Sequence, residues 1–165
     1  MKILSKQKNS RMCMICGLDN EYGVNAPFYN MEDGSVMTVF RYKEQHQSYP
    51  GRVHGGMITA MLDEMGLRSL WAKELSEETF GVTISLDTKY RKPVPYETEL
   101  IGRGVVVKNT SHFIITDSYI MDKDGEILAN GRIKYIKMDT QKIQEGVEVH
   151  EEMPYLVEDL SLIHI

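Results

Sequence analysis

Residues 57–71 read MITAMLDEMGLRSLW, and nine of these fifteen are apolar: Met57, Ile58, Ala60, Met61, Leu62, Met65, Leu67, Leu70 and Trp71. Ile58, Met61, Leu62 and Met65 follow the i, i+3, i+4, i+7 spacing of a helix face. At about 100° per residue the other apolar positions extend the hydrophobic surface most of the way round. That is the pattern of a helix enclosed by its fold rather than resting on it. Asp63 and Glu64 stand out, because a carboxylate in apolar surroundings costs free energy unless it is paired or put to chemical use.

Downstream, past the ELSEE linker at residues 74–78, the period changes to two. Val82, Ile84, Leu86 and Tyr90 alternate with Thr83, Ser85, Asp87, Lys89 and Arg91, as in a half-buried strand that Pro93 and Pro95 end. Three more strands are expected at residues 97–108, 112–121 and 127–138. The turns between them, at 109–111 and 122–125, are short enough to make the neighbours antiparallel. Upstream, residues 26–31 and 36–42 flank Asp33-Gly34 and read as a hairpin. Between hairpin and helix lies the loop EQHQSYPGRVHGG, residues 44–56, whose Pro50, Gly51, Gly55 and Gly56 break regular structure and let a ligand approach the backbone.

The first 25 residues are polar and irregular, so the folded unit is expected to span residues 26–138, with a CxxC-bearing segment before it and a tail at 139–165. In that tail Met153, Tyr155, Leu156, Val157 and Leu160 are spaced as a short helix. A single helix can bury its whole surface here only if the sheet curls around it, which sets the class as α+β, a central helix wrapped by a curled antiparallel sheet. Such a wrap leaves one edge strand open. Pairing it with a second copy would manage that liability, so a dimer or a dimer of dimers is expected.

At 165 residues, with 42% hydrophobic and 26% charged, the composition is that of one globular domain and excludes a disordered chain. Nineteen basic residues against 24 acidic ones, a net charge of −5, argue against nucleic acid as the main partner. No segment reaches the ~20 apolar residues of a membrane span and MKILSKQKNS lacks the apolar region of a secretory signal, so a cytoplasmic protein without a membrane partner is expected. Cys13 and Cys16 cannot build a disulfide framework, and their spacing suits metal or redox use. A zinc site would need two more ligands, yet the chain has no second CxxC and its histidines are scattered at 46, 54, 112, 150 and 164, so no metal is expected.

The stretch PGRVHGGMITAMLDEMG, residues 50–66, resembles the His-Gly-Gly loop and helix of hotdog-fold acyl-CoA thioesterases of the phenylacetate-degradation type and their mammalian relatives. The resemblance runs from Ala26 to Met138 and includes Asp63, nine residues after His54, and VTISLDTKYRKPVP at 82–95. It implies hydrolysis of acyl-CoA thioesters to free acid and CoA, with CoA as part of the substrate and no separate cofactor. His54 would orient the carbonyl or the loop, and Asp63 would serve as general base or nucleophile unless it forms a structural ion pair. Thr83 would hold the attacking water. Ser48 stands near the position where some relatives carry an asparagine, and its hydroxyl donates one hydrogen bond where an amide donates two.

Elementary chemistry agrees with that implication. Gly55 and Gly56 open the helix where free N–H groups and the positive dipole end can polarise a thioester carbonyl, with the Gly56 amide as the expected donor. Lys89, Arg91 and Lys92 form a basic cluster suited to the phosphates of CoA. Glu64 is expected to pair with Arg68 at i+4. Seven residues of helix separate Gly56 from Asp63, about 10 Å of rise, so both cannot touch one thioester carbon unless two chains share the site. Met61, Leu62, Met65 and Trp71 suggest an apolar pocket for a medium-chain or aryl-acyl group. Two other functions share the sequence features: a dehydratase using His46 or His54 with a helix carboxylate, and a protein that binds acyl-CoA without catalysis.

Overall fold

The central helix α1 spans Gly55–Glu74, three residues longer than expected at its C-terminal end and two at its N-terminal end. The computed structural model describes residues 2–76, 79–138, 140–143, 145 and 156–159. Ahead of α1 come β1 (Ile3–Lys6), β2 (Asn9–Ser10), β3 (Tyr29–Met31), β4 (Val36–Phe40) and a 3₁₀ turn at Glu44–His46. After it come β5 (Phe80–Tyr90), β6 (Leu100–Asn109), β7 (Phe113–Met121), β8 (Ile127–Met138), a one-turn α2 (Thr140–Ile143) and β9 (Leu156–Val157). Among the described residues no helix is long and apolar enough to cross a membrane.

Seven strands form one antiparallel sheet in the order β1-β3-β4-β6-β7-β8-β5. The expected hairpin is β3–β4, and β6, β7 and β8 are the expected meander. β5 crosses to the far edge beside β8 because residues 91–99, which include Pro93 and Pro95, carry the chain back beneath the start of α1. On that path Val53 N–H donates to Val94 O at 2.9 Å and Glu97 N–H to Tyr42 O at 2.8 Å.

α1 lies on the sheet face through Ile58, Met61, Leu62 and Met65, which pack with Val36, Phe40, Leu100, Ile120 and Ala129. Leu70 continues the contact against Ile114, Ile133 and Tyr135. Close approach requires glycine: a Cβ on Gly104 of β6 would meet Met65 O at 2.4 Å. α1 is therefore seated on bare strand backbone at that point.

The sheet covers one side of α1, and residues ahead of Ala26 cover much of the other, which differs from the expectation of a folded unit starting at Ala26. Ile15, Cys16 and Val24 belong to the main core, and Gln7, Asn9 and Ser10 are buried although polar. Hydrogen bonds satisfy most of the polar segment: Gln7 Nε2 donates to Asn30 Oδ1 at 2.7 Å and to Arg68 O at 3.0 Å, and Asn9 Nδ2 donates to Ala26 O at 3.1 Å, while Asn9 Oδ1 has no partner among the described residues. Buried polar groups are tolerated once paired, and no apolar periodicity announces them. In the tail, Leu156 and Val157 form a strand against Ser10 and Asn9 rather than the expected short helix, because an unpaired edge at β2 offers backbone partners. Met153, Tyr155 and Leu160 of that expectation lie outside the described residues.

Candidate active site

The His-Gly-Gly turn starts α1 with a histidine cap. His54 is extended (φ −63°, ψ 135°), its Nδ1 accepts the Gly56 N–H at 2.9 Å, and its carbonyl accepts from Met57 and Ile58 at 3.0 and 3.2 Å. Three of the four first-turn amides are thus engaged. Among the described residues the Gly55 N–H has no acceptor, so the amide open to a substrate carbonyl is that of Gly55 rather than the expected Gly56. A capping histidine has its Nδ1 occupied as an acceptor, which places His54 as the organiser of the turn.

His46 is buried and fully used. Its Nδ1 accepts the Lys43 N–H at 3.0 Å, so Nε2 carries the proton and donates to Tyr22 O at 2.7 Å. Ser48 sits in an exposed turn where its N–H donates to Arg52 O at 2.9 Å. It does not line the cleft at the helix start.

Gly55, Thr59 and Asp63 form a stripe at i, i+4, i+8 along α1, and the edge strand β5 runs antiparallel beside it. Tyr90 O–H donates to Gly55 O at 3.0 Å and lies 2.7 Å from Thr59 Oγ1. At the other end, Thr83 Oγ1 donates to the Asp63 carboxylate, 2.8 Å from Oδ1 and 3.1 Å from Oδ2. A bulge makes this possible: the register with β8 shifts between Thr83 and Ser85, so odd-numbered Thr83 and even-numbered Leu86, Thr88 and Tyr90 all face the helix side. Plain alternation would have placed Thr83 and Tyr90 on opposite faces.

Burial raises the Asp63 carboxyl above its ordinary value, with the charge of Glu64 adding to it, while the Thr83 hydroxyl works in the opposite direction. Tyr135 O–H donates to the Asp63 carbonyl at 2.6 Å and fixes the backbone there. Glu64 turns to the other side, where its Oε1 accepts from Arg68 Nε at 2.7 Å as the i+4 spacing predicts. Beside it the Cys13 thiol is lowered to about 7, chiefly by the hydrogen bond from the Cys16 thiol and against burial and the Glu64 charge.

An open cleft of about 550 Å³ lies at the start of α1, lined by Arg52, Gly55, Gly56, Tyr90, Arg91 and Lys92 among others. Arg91 and Lys92 meet there as expected, Arg91 Nε donating to Asn130 Oδ1 at 2.6 Å and Lys92 pairing with Glu126. Lys89, on the opposite face of β5 from Tyr90, lines only an outer depression with Asp87 and Arg132, and Arg91, just past the strand end, borders both that depression and the cleft. Tyr90 is the site residue that sequence reasoning missed. It reads as one more apolar position of a strand, and only contact with Gly55 gives it a role. Met61, Leu62 and Met65 are wholly buried, and Trp71 packs at the far end of α1 against Phe80.

A long helix laid across an antiparallel sheet, with a carboxylate on the helix and an open glycine amide at its start, is the hotdog class of domain. Residues 50–129 match the family model described as the thioesterase superfamily. It is 25% identical over 140 residues to the acyl-coenzyme A thioesterase THEM4 of Rattus norvegicus, covering 84% of this chain and 57% of that protein. The chain therefore spans little more than half the length of this relative. A crystal structure of a thioesterase superfamily protein superposes with a TM-score of 0.68 at 26% identity, over 76% of this chain and 63% of that one. A Streptococcus pneumoniae hypothetical thioesterase solved with coenzyme A shares the fold, with a TM-score of 0.59, 20% identity, and coverage of 70% and 87%.

Proposed function

We propose that this protein hydrolyses acyl-CoA thioesters to free acid and CoA. The observation that carries the reading is the Asp63 carboxylate held by the Thr83 hydroxyl on the same helix whose first N–H, that of Gly55, stands open at a basic cleft. The substrate carbonyl would accept from Gly55 N–H, where the helix dipole stabilises developing negative charge. Asp63 would take a proton from a water held against Thr83, and the hydroxide would add to the carbonyl carbon. The tetrahedral intermediate then collapses with loss of the CoA thiolate, which recovers the proton from Asp63. Arg91, Lys92 and Arg52 suit the CoA phosphates by charge.

Gly55 and Asp63 are eight residues apart on one helix, about 12 Å of rise, too far for both to act on one carbonyl. The working unit is accordingly a dimer in which β5 pairs with its counterpart. β5 is an eleven-residue edge strand that exposes Val82 (40%) and Ile84 (53%), the kind of edge that invites a second strand. Antiparallel pairing would bring the Thr83–Asp63 end of one copy opposite the Gly55–Tyr90 end of the other, giving two shared sites. Met61, Leu62 and Met65 pack wholly against the sheet and offer the acyl group no surface, so a medium-chain or aryl-acyl preference would have to come from the space between α1 and the paired β5 strands.

A panel of CoA thioesters from acetyl to palmitoyl, with phenylacetyl, tests the reading by release of free thiol. Turnover by the wild type and its loss in Asp63→Asn are expected. An enoyl product from a hydroxyacyl thioester would instead make the protein a dehydratase, and acyl-CoA binding without thiol release would make it a non-catalytic binder.

A further inference from the structure

We propose that Cys13, Cys16 and Glu64 form a binding site for a thiophilic divalent cation, with zinc as the fitting ion. The two sulfurs and a Glu64 oxygen lie within 4.8 Å of one another, brought together from the turn after β2 and from α1. Zinc–sulfur and zinc–oxygen bonds of about 2.3 and 2.0 Å in a tetrahedron place ligand atoms about 3.5–3.8 Å apart. Cys13 Sγ and Glu64 Oε2 already stand 3.9 Å apart. Small side-chain rotations close the remainder.

The turn is built for a thiolate. The N–H groups of Ile15 and Cys16 point at Cys13 Sγ at 3.3 and 3.5 Å, and donors aimed at sulfur stabilise its negative form. Gly17 keeps the turn tight, since its N–H donates to Cys13 O at 2.9 Å and a Cβ there would meet that same oxygen at 2.4 Å. Cys13 N–H donates to Ser10 Oγ at 2.9 Å, which ties the turn to β2.

Glu64 is oriented in the way metal-binding carboxylates are. Arg68 Nε holds Oε1 at 2.7 Å, leaving Oε2 directed toward Cys13. Arg68 is itself fixed, donating to Gln7 Oε1 at 3.2 Å and Lys8 O at 2.9 Å and lying over the rings of Phe28 and Trp71. Two thiolates and a carboxylate carry three negative charges, and Arg68 and a dication supply three positive ones, so the filled cluster is neutral. The Cys13 thiol donates to Glu64 Oε2 at 3.9 Å and the Cys16 thiol to Ser10 Oγ at 3.7 Å, long contacts that a cation would replace on taking both thiolates. Cys13 and Glu64 are partly exposed, so a water can complete the fourth position from the open side. The expectation of no metal counted only cysteine and histidine as ligands. The third ligand is a glutamate 48 residues further on, which no CxxC spacing reveals.

The test uses the full chain, reduced and chelator-treated, titrated with zinc and separately with cobalt(II) as a spectroscopic probe. One zinc per chain is expected, with protons released and a thiolate-to-cobalt charge-transfer band of tetrahedral character. Cys13→Ala, which leaves the Glu64–Arg68 pair intact, should abolish the band, and Glu64→Gln should weaken zinc affinity by at least roughly tenfold while keeping the band. Circular dichroism confirms that each variant is folded. Unchanged affinity in either variant would overturn the site. So would a reduced wild type that takes up no zinc. The readout is metal binding, so the outcome does not depend on thioester hydrolysis.

Discussion

The Thr83 hydroxyl spans both oxygens of Asp63, at 2.8 and 3.1 Å, across the gap between the sheet edge and the central helix. One side chain thereby sets the rotamer of the carboxylate and marks where a water would be held. Thr83→Val keeps the β-branched shape and removes the hydrogen bond. It should lower kcat by about 10- to 100-fold with little change in KM, and Thr83→Ser should restore most of the loss. Equal activity in Thr83→Val and wild type would reduce Thr83 to a strand residue.

Asp63→Asn separates activity from stability. In hydrolysis it should lower kcat by at least about 100-fold, since the amide cannot accept the proton from water. Its effect on stability has the opposite sign. Burial raises the Asp63 carboxyl in the folded state, so the folded chain binds its proton more tightly than the unfolded chain. The stability contributed by this group is then present at low pH and is lost as pH rises through the folded-state value. At neutral pH the asparagine variant should melt higher than wild type, and the gain should shrink as pH falls through the carboxylate range. A variant that melts lower at pH 7 and closes that gap on wild type as pH falls would show that the Thr83 hydrogen bond outweighs burial.

Much of this arrangement was legible because it follows from periodicity. The enclosed helix, the β3–β4 hairpin, the β6–β8 meander and the Glu64–Arg68 pair all follow from spacing within a single element or across one turn. Features set by register were not legible. The bulge after Thr83 leaves no mark in VTISLDTKY, yet it decides that Thr83 and Tyr90 share a face while Lys89 points away from the cleft. The open amide at the helix start is that of Gly55 rather than Gly56, because adjacent glycines look alike until the His54 cap is seen to occupy one of them. The contribution of residues 7–24 to the core was hidden for a different reason: its buried members include Gln7, Asn9 and Ser10, which hydrophobicity assigns to the surface.

Arg68 is almost wholly buried, with 1% of its surface exposed, and it joins α1 to the N-terminal segment through Glu64, Gln7 and Lys8. Arg68→Ala leaves the partly buried Glu64 without its cation and opens a void beneath Phe28. The expected loss is about 3–5 kcal/mol, read as a lowered urea midpoint. Arg68→Met fills the space but still leaves the carboxylate unpaired, whereas Arg68→Met with Glu64→Gln removes both charges and should recover a substantial part of the loss. If the double variant is no more stable than Arg68→Met, coupling between the two charges is not what holds this side of the helix.

Gly104 and Gly125 allow packing and backbone conformation to be told apart with the same substitution. At Gly104 the backbone is unstrained, but an added Cβ would meet Met65 O at 2.4 Å and Val36 Cγ1 at 3.0 Å, so the helix itself must move. Overpacking of this kind costs about 1–3 kcal/mol, and for a chain of this size each kcal/mol lowers Tm by about 2–4 °C. Met65 follows Asp63 by two residues, so the displacement carries into the site, where an error of about 1 Å in placing reacting groups can cost about 100-fold in rate. Gly104→Ala should therefore lower both Tm and kcat/KM. At Gly125, in the β7–β8 turn, nothing lies within 4 Å of an added Cβ, and the cost comes only from its φ of +82°. Gly125→Ala should lose about 1–2 kcal/mol for holding a side chain in the left-handed region, with kcat/KM unchanged. Calorimetry and thiol-release assays on the two variants make the comparison, and a Gly104→Ala enzyme with wild-type kcat/KM would show that α1 can move on the sheet without disturbing Asp63.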